Sequence, residues 1–490
     1  MPILDLPTLA QKRHVSSSFG DTWRFPLLCF LLLVAIGYSV FLAIQAPPPD
    51  VDANQFVVFW LLGFLPYLAA CLLILTTRAP VGRRRWRELA LILVGALVLR
   101  AQLVFLDPNL SHDSWRYLWD ARVTLNGFSP YVYPPGHPLL VHLRDFLYAN
   151  SRFRNVPTIY PPAAQGFYLL SYLLSPENLV FLKCLFIGCE LVTTATLAVL
   201  LSRKGLDPAR CVIYAWCPLP IIEFAIQGHV DALMITFILL IMLCAQSSRR
   251  GARVLTGFLL AIATLIKLYP LLLLVVVWRG KRDWALLLTC LVTIVLAYVP
   301  YLILGNGQIF GFFASYASEQ GSMNGGPLAL FLHWISMQTG LPLPVTYVVD
   351  LLLVGSLSLW VWLRRLKERI SIEAAALLMI GVTFLISTHV FPWYVAALLP
   401  FVALLIDVPW SRGGGWNSWG LAMIGLWYFC GASILGYFLS STLDWTWYYV
   451  SVYYVTLIIL GLAWLVNYVL PRWPRRLKNH DQDTEQPLAG

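Results

Sequence analysis

The sequence predicts an all-α, polytopic membrane protein, because charged residues are scarce, apolar runs are long and basic residues cluster between those runs. Of the 490 residues, 59% are hydrophobic and only 12% are charged, against roughly 25% charged in an average soluble domain. Apolar runs at 25–44, 57–75, 89–106 and 284–304 reach about the length that crosses a bilayer. Such continuous runs are not the alternating pattern of an outer-membrane barrel.

The basic clusters set the predicted orientation. The net charge is +10, but most lysines and arginines lie in short groups between apolar runs. This is the positive-inside pattern of a cell-membrane protein with both termini in the cytoplasm, and it argues against nucleic-acid binding. Spans are predicted at about 25–44, 56–77, 88–106, 178–201, 210–227, 230–246, 284–304, 343–363, 372–390, 393–408, 417–439 and 447–469.

Residues 254–278 have basic clusters on both sides, so a single span would break the orientation rule. Either these residues form a hairpin of two part-helices or one cluster breaks the rule. The lysine and proline in "IKLYP" (266–270) favour the hairpin, since irregular backbone at membrane depth must be buried or line a cavity. We therefore expect a bundle of about 13–14 transmembrane segments.

The predicted organisation has five parts. They are a cytoplasmic N-terminal segment (1–24), three transmembrane helices (25–106), a structured outer loop (107–176), the remaining bundle (177–470) and a cytoplasmic tail (471–490). The remaining bundle includes a second outer loop at 305–342. The nine cysteines lie in apolar stretches without a CxxC motif, which predicts neither disulfides nor a cysteine-held metal.

The outer loop contains "SHDSWRYLWDARV" (111–123), which is too charged to cross a membrane. Ser111 or Asp113 is expected to cap a helix that ends near Gly127. The helix would carry one apolar stripe: Trp115, Leu118, Trp119 and Val123. A second face would hold Asp113, Arg116 and Asp120. This pattern predicts a helix that lies in the interface, with its charged side chains toward water.

Three more polar clusters fall on the same predicted outer face: "QGHVDAL" (227–233), "IKLYP" and "STHVFPWY" (387–394). Polar turns and an aromatic belt explain part of each, but ionisable groups at membrane depth are costly and usually functional. The aromatic segment 444–454 is interpreted as an aromatic belt alone.

Together, "HDSWRYLWDARVTLNGFSPYVYPPGHPLL", "TIYPPAAQ", "QGHVDALM", "IKLYPLLLL" and "HVFPWYVAALLPF" resemble the GT-C superfamily of membrane glycosyltransferases. The resemblance is to the bacterial glycosyltransferase family 87/PIG-M-like mannosyltransferase group, and it covers about 88–410. It implies transfer of a hexose, with mannose expected, from a polyprenyl-phosphate donor to a lipid or glycan acceptor on the outer face. The family's loop carboxylate matches Asp113, which would act as base or orient the acceptor hydroxyl.

Candidate site residues follow from this resemblance and from the clusters. Asp113 is the expected catalytic residue, and the donor phosphate would meet Arg116, Lys267 and His389. The expected substrate-binding residues are Tyr117, Asp120, Tyr160, Gln227, His229, Asp231, Tyr269, Trp393 and Tyr394. A single displacement would invert the anomeric centre. Because 111–113 offer one carboxylate where some relatives have two, a divalent metal is possible but not favoured, and no other cofactor is expected.

Two other classes fit less well. A transporter or lipid flippase would place charges deep in several spans, whereas these charges gather on one face. An oligosaccharide ligase or polymerase would concentrate arginines in its outer loops, and 305–342 has none.

Overall fold

The computed structural model describes residues 19–48, 52–280, 283–310, 326–340, 343–387, 390–407, 418–440 and 445–469, and all of their regular structure is helical. The α-helices are α1 (Phe19–Gln45), α2 (Asn54–Leu62), α3 (Phe64–Thr76), α4 (Arg83–Ala101), α5 (Asp113–Leu125), α6 (Phe146–Asn150), α7 (Pro162–Leu174), α8 (Leu179–Arg203), α9 (Val212–Ala215), α10 (Pro218–Ala225), α11 (Asp231–Cys244), α12 (Arg250–Thr264), α13 (Leu274–Val277), α14 (Trp284–Leu304), α15 (Pro327–Thr339), α16 (Leu343–Leu366), α17 (Ile372–Ile386), α18 (Pro392–Val395), α19 (Leu399–Leu405), α20 (Ser418–Ala432), α21 (Trp445–Tyr448) and α22 (Val455–Val469).

Short 3₁₀ and π segments join several of these helices. The 3₁₀ segments are Pro138–Leu143, Pro208–Cys211, Tyr269–Leu273, Ala396–Leu398 and Ser433–Ser440, and the π segment is Tyr449–Tyr454.

Six helical stretches in the described residues are long and apolar enough to cross a membrane. They are Thr22–Gln45, Asn54–Thr76, Leu179–Arg203, Trp284–Leu304, Gly420–Phe438 and Tyr449–Val466. The polytopic all-α prediction is confirmed, while other predicted spans coincide with shorter or more charged helices. The prediction of one span at 210–227 is corrected: this segment is not a continuous helix but is broken into short helices on either side of Cys217. Pro218 lacks a backbone N–H and begins a new helix there.

The hairpin expected at 254–278 is present. Helix α12 ends at Thr264, and the chain turns at Lys267 before the 3₁₀ segment that begins at Tyr269. Near the other end of α12, Arg253 Nη2 donates to the Val277 carbonyl at 2.6 Å and to Asp283 Oδ2 at 2.5 Å. The two ends of the hairpin therefore meet, and Lys267 lies at its tip.

Helix α5 has the predicted length, and Gly127 follows it with a φ of +79°. The prediction that its charged side chains face water is wrong, since Arg116 and Asp120 are buried together with Leu118 and Trp119. The physical reason is that α7 packs along one side, while residues 146–156 cover another.

The first turns of α5 and α8 are neighbours. Lys183, in α8, donates from Nζ to the Leu106 carbonyl at 2.6 Å. Gly228 lies between Lys183 and Ser114, since a Cβ there would be 3.1 Å from both side chains. The 25 residues of α8 then extend ~37 Å to Arg203, about the thickness of a bilayer.

Candidate active site

Asp113 is the first residue of α5 and faces a cavity of about 460 Å³. Three segments line this cavity: 110–116, 152–160 and 390–394, of which the described part begins at Val390. Tyr437 and Tyr448, from later in the chain, also line the cavity. Because its side chain remains 26% exposed, Asp113 can meet a ligand inside the cavity.

A phenol donates to the Asp113 carboxylate, and an imidazole lies nearby without a hydrogen bond to it. The Tyr160 hydroxyl donates to Asp113 Oδ2 at 3.2 Å, and His229 Nδ1 lies 3.7 Å from the same oxygen. Burial raises the pKa of the Asp113 carboxyl, and Lys267, Tyr160, Arg116 and Arg152 partly offset that rise. A raised pKa makes this carboxylate a better proton acceptor than an ordinary aspartate.

His229 lies between two carboxylates. Its Nε2 is 3.4 Å from Glu223 Oε2, and its ring stacks on Trp393 with centroids 3.9 Å apart. Glu223 is fully buried and accepts from the Tyr437 hydroxyl at 2.9 Å. A row of acidic, basic and phenolic groups therefore runs inward from Asp113. Sequence reasoning missed Glu223, since it lies within the apolar run "PLPIIEFA" of α10.

Lys267 reaches the same region from the hairpin tip. Its Nζ donates to both oxygens of Asp231, at 2.7 and 2.8 Å, and lies 3.5 Å from the centre of the Tyr394 ring. The Asp231 side chain is 1% exposed and that of Lys267 is 14% exposed. Tyr394 lines the cavity but Lys267 does not, so the lysine acts on the cavity through its charge and through this ring.

Arg116 also lines the cavity, and protein groups hold its guanidinium. It donates from Nε to Asp120 Oδ1 at 2.7 Å, from Nη1 to the Phe153 carbonyl at 3.0 Å and from Nη2 to the Val156 carbonyl at 2.9 Å. Asp120 in turn accepts from Gln165 Nε2 at 3.1 Å. Since a guanidinium has five N–H donors, two remain for an anion.

Gln227 shapes the approach to α5. Its Oε1 accepts from the backbone N–H groups of Asn109, Leu110 and Ser111 at 3.1, 3.0 and 3.3 Å. Its Nε2 donates to Asn109 Oδ1 at 2.7 Å. One buried side chain therefore fixes the three residues whose chain direction sets the position of Asp113.

The structure brings most of the predicted residues together but separates them into two layers. Those that line the cavity are Asp113, Arg116, Tyr160, Trp393 and Tyr394. Those that support it without lining it are Tyr117, Asp120, Gln227, His229, Asp231, Lys267 and Tyr269. For this second group direct substrate contact stays a prediction. His389 lies outside the described residues.

Among the lining residues that were not predicted are Arg152, Tyr437 and Tyr448. Arg152 had a weak signal in the basic and aromatic run "SRFRN", while Tyr437 and Tyr448 had none beyond aromatic-belt composition. The interpretation of 444–454 as an aromatic belt did not include the place of Tyr448 in the cavity wall. Within the described ranges, no group of three or more His, Cys, Asp or Glu side chains could hold a metal ion.

Comparison with known families gives a match over part of the chain. Residues 158–388 match the family model described as Glycosyltransferase family 87, which confirms the resemblance seen in the sequence motifs. The match includes Tyr160, His229, Asp231 and Lys267, and it begins after α5 has ended. A search of curated proteins returned no match.

Proposed function

Because residues 158–388 match the model of Glycosyltransferase family 87, we propose that the chain moves a hexose from a polyprenyl-phosphate donor to a lipid or glycan acceptor on the outer face of the membrane. Mannose is the hexose we expect, from the motif resemblance. The observation that carries this proposal is the Asp113 carboxylate, which faces a cavity with one aromatic wall and two lining arginines.

In the proposed reaction, Asp113 accepts the proton of the acceptor hydroxyl. The hydroxyl oxygen forms a bond to the anomeric carbon as the bond from that carbon to the donor phosphate oxygen breaks. The phosphate leaves with the electron pair, and the anomeric configuration inverts. The Tyr160 hydroxyl keeps Asp113 Oδ2 oriented, leaving Oδ1 for the acceptor.

The negative charge that develops on the leaving phosphate requires nearby cations. Arg116 meets this need with its two remaining N–H donors, and Arg152 lines the same cavity. Lys267 adds a charge that is already fixed by Asp231. We propose that these side chains serve the reaction without a divalent metal.

The aromatic residues Phe391, Trp393 and Tyr394 form an aromatic wall of the cavity. Phe391 and Trp393 stack with ring centroids 4.5 Å apart, and His229 stacks on Trp393 at 3.9 Å. Both faces of Trp393 are therefore covered, and a sugar would meet the edges of these rings. This wall comes from the segment after α17, so the sugar would lie between the outer segment and the bundle.

The test is transfer from radiolabelled polyprenyl-phosphate mannose and polyprenyl-phosphate glucose in membranes that contain the full chain. Asp113→Asn should lower transfer by at least ~10³-fold, the cost typical of losing a catalytic group. Asp107→Asn is the matched control, because Asp107 is an exposed carboxylate of the same outer segment that does not line the cavity. Near-normal transfer by a folded Asp113→Asn protein, or consumption of neither donor by wild type, would refute the proposal.

A further inference from the structure

A second and larger cavity, of about 1110 Å³, lies far from Asp113. Its lining comes from the end of α3 and the residues after it, from the residues after α8, from the last turns of α16, from the start of α17 and from the end of α19. Lys204 follows α8 directly, and the first turn of α8 adjoins α5. The length of α8 therefore separates the two cavities by about one bilayer thickness.

The charged residues of this second cavity are mostly arginines. They are Arg78, Lys204, Arg210, Arg364 and Arg369, with Asp207 and Asp407. Two of these charges are neutralised by residues that do not line the cavity. Lys204 Nζ lies 3.0 Å from Glu373 Oε2, and Asp207 Oδ2 lies 2.5 Å from Arg24 Nη2. Basic side chains therefore outnumber carboxylates in the lining by five to two, and we call this site the arginine cavity.

The arginine cavity opens beside a helix that is suited to contact lipid. Trp360 lines the cavity, is 44% exposed, and has the Arg364 guanidinium 5.2 Å from its ring centre. Three leucines that precede Trp360 in α16 are also exposed: Leu351, Leu352 and Leu359. Exposed leucines followed by tryptophan and arginine are the usual order from a bilayer core to its headgroup layer.

We propose that the arginine cavity binds the phosphate headgroup of an anionic glycerophospholipid, whose acyl chains lie along α16. The excess of arginine supplies the charge that an anionic phosphodiester requires, and guanidinium groups donate to phosphate oxygens in pairs. The exposed apolar face of α16 supplies a surface for the chains. A free anion would use the arginines but not this face.

The proposal is tested on the full chain in detergent by native mass spectrometry, with phosphatidylglycerol and phosphatidylcholine as probes. Wild type should retain phosphatidylglycerol preferentially. Arg364→Gln/Arg369→Gln should weaken that retention by roughly 10–30-fold, since each basic side chain near a headgroup contributes measurably to binding. Arg83→Gln/Arg84→Gln is the matched control, because these arginines begin α4, are exposed and do not line the cavity.

Each other outcome counts against the proposal. Equal losses in the two double variants would show only a general attraction of basic residues for anionic lipid. Equal retention of the two lipids by wild type would remove the headgroup specificity. Displacement of phosphatidylglycerol by millimolar inorganic phosphate would identify a site for free anions. Transfer activity is a separate readout, and it should remain near wild type in Arg364→Gln/Arg369→Gln.

Discussion

The Asp113 cavity and the arginine cavity both contain several charged side chains. Protein partners hold the cations around Asp113, whereas the arginine cavity has exposed arginines and an excess of basic side chains. Around Asp113, Lys267 is paired with Asp231, and Arg116 is held by Asp120 and two carbonyls. In the arginine cavity, Arg364 and Arg369 are exposed, and the lining arginines outnumber its carboxylates.

This difference suits two kinds of ligand. A reaction that creates charge as it proceeds needs cations that are already fixed in place, so that nothing has to reorganise when the bond breaks. A ligand with a permanent negative charge is best bound by cations that it can neutralise itself. The predictions below test whether the charges of the Asp113 cavity really work through their fixed partners.

The largest effect is expected from Lys267→Met. This variant leaves the Asp231 carboxylate buried without its cation, which costs ~3–5 kcal/mol in the free energy of unfolding. The double variant Lys267→Met/Asp231→Leu removes both charges and should recover most of that loss. Thermal unfolding of the purified protein in detergent measures both changes.

Transfer assays on the same proteins separate stability from catalysis. The double variant should stay at least ~10-fold below wild type in transfer, because it also loses the charge beside Tyr394 and the cation that favours ionised Asp113. Full recovery of transfer in the double variant would mean that Lys267 serves only to neutralise Asp231.

A smaller effect is expected from Gln227→Ala. The variant leaves buried backbone N–H groups at 109–111 without their acceptor, a loss of about 1–3 kcal/mol. Because the misplaced residue is Asp113, kcat should fall by about 10–100-fold, while KM for the donor changes much less. Gln246→Ala is the control, since Gln246 accepts from Arg203 at the other end of α8. A change in KM alone would contradict a positioning role.

The sequence predicted the position of Asp113 and the gathering of polar clusters on one side. Contacts between His229 and Asp113, and between Lys267 and Asp231, confirm that these clusters meet. The signal was strong because ionisable groups at membrane depth are costly and so stand out from an apolar sequence.

The sequence could not predict which residues line the cavity and which support it from behind. An Arg116–Asp120 pair at i, i+4 has the same spacing on a buried helix as on an exposed one, and burial here depends on residues 153–156. Glu223 meets Tyr437 from 214 positions away. Such pairings arise from the packing of distant helices and leave no local pattern.

Tyr160→Phe tests the hydrogen bond on Asp113 itself. The Tyr160 hydroxyl favours the ionised carboxylate, so its removal should raise the already raised pKa of Asp113 further. The active form of the base is deprotonated. On acidification, the variant should therefore lose transfer activity at a higher pH than wild type does. We expect a shift of up to about one pH unit in the acid limb of kcat/KM, since the hydrogen bond contributes ~1 kcal/mol. An unchanged acid limb would show that Asp113 is not the titrating base.

The smallest effect is expected from ionic strength, which should weaken lipid binding at the arginine cavity more than it lowers the rate of transfer at the Asp113 cavity. Raising salt from 0.1 to 1 M shortens the screening length from about 10 to about 3 Å, which weakens exposed charges far more than buried pairs. Binding of phosphatidylglycerol to the arginine cavity should weaken by roughly 2–5-fold, because Arg364 and Arg369 are exposed. The rate of transfer at saturating donor should change less than this, because the Lys267–Asp231 and Arg116–Asp120 pairs are buried. If transfer fell as steeply as lipid binding, the cations that serve the reaction would be exposed ones such as Arg152, and fixed internal pairs would not explain the chemistry.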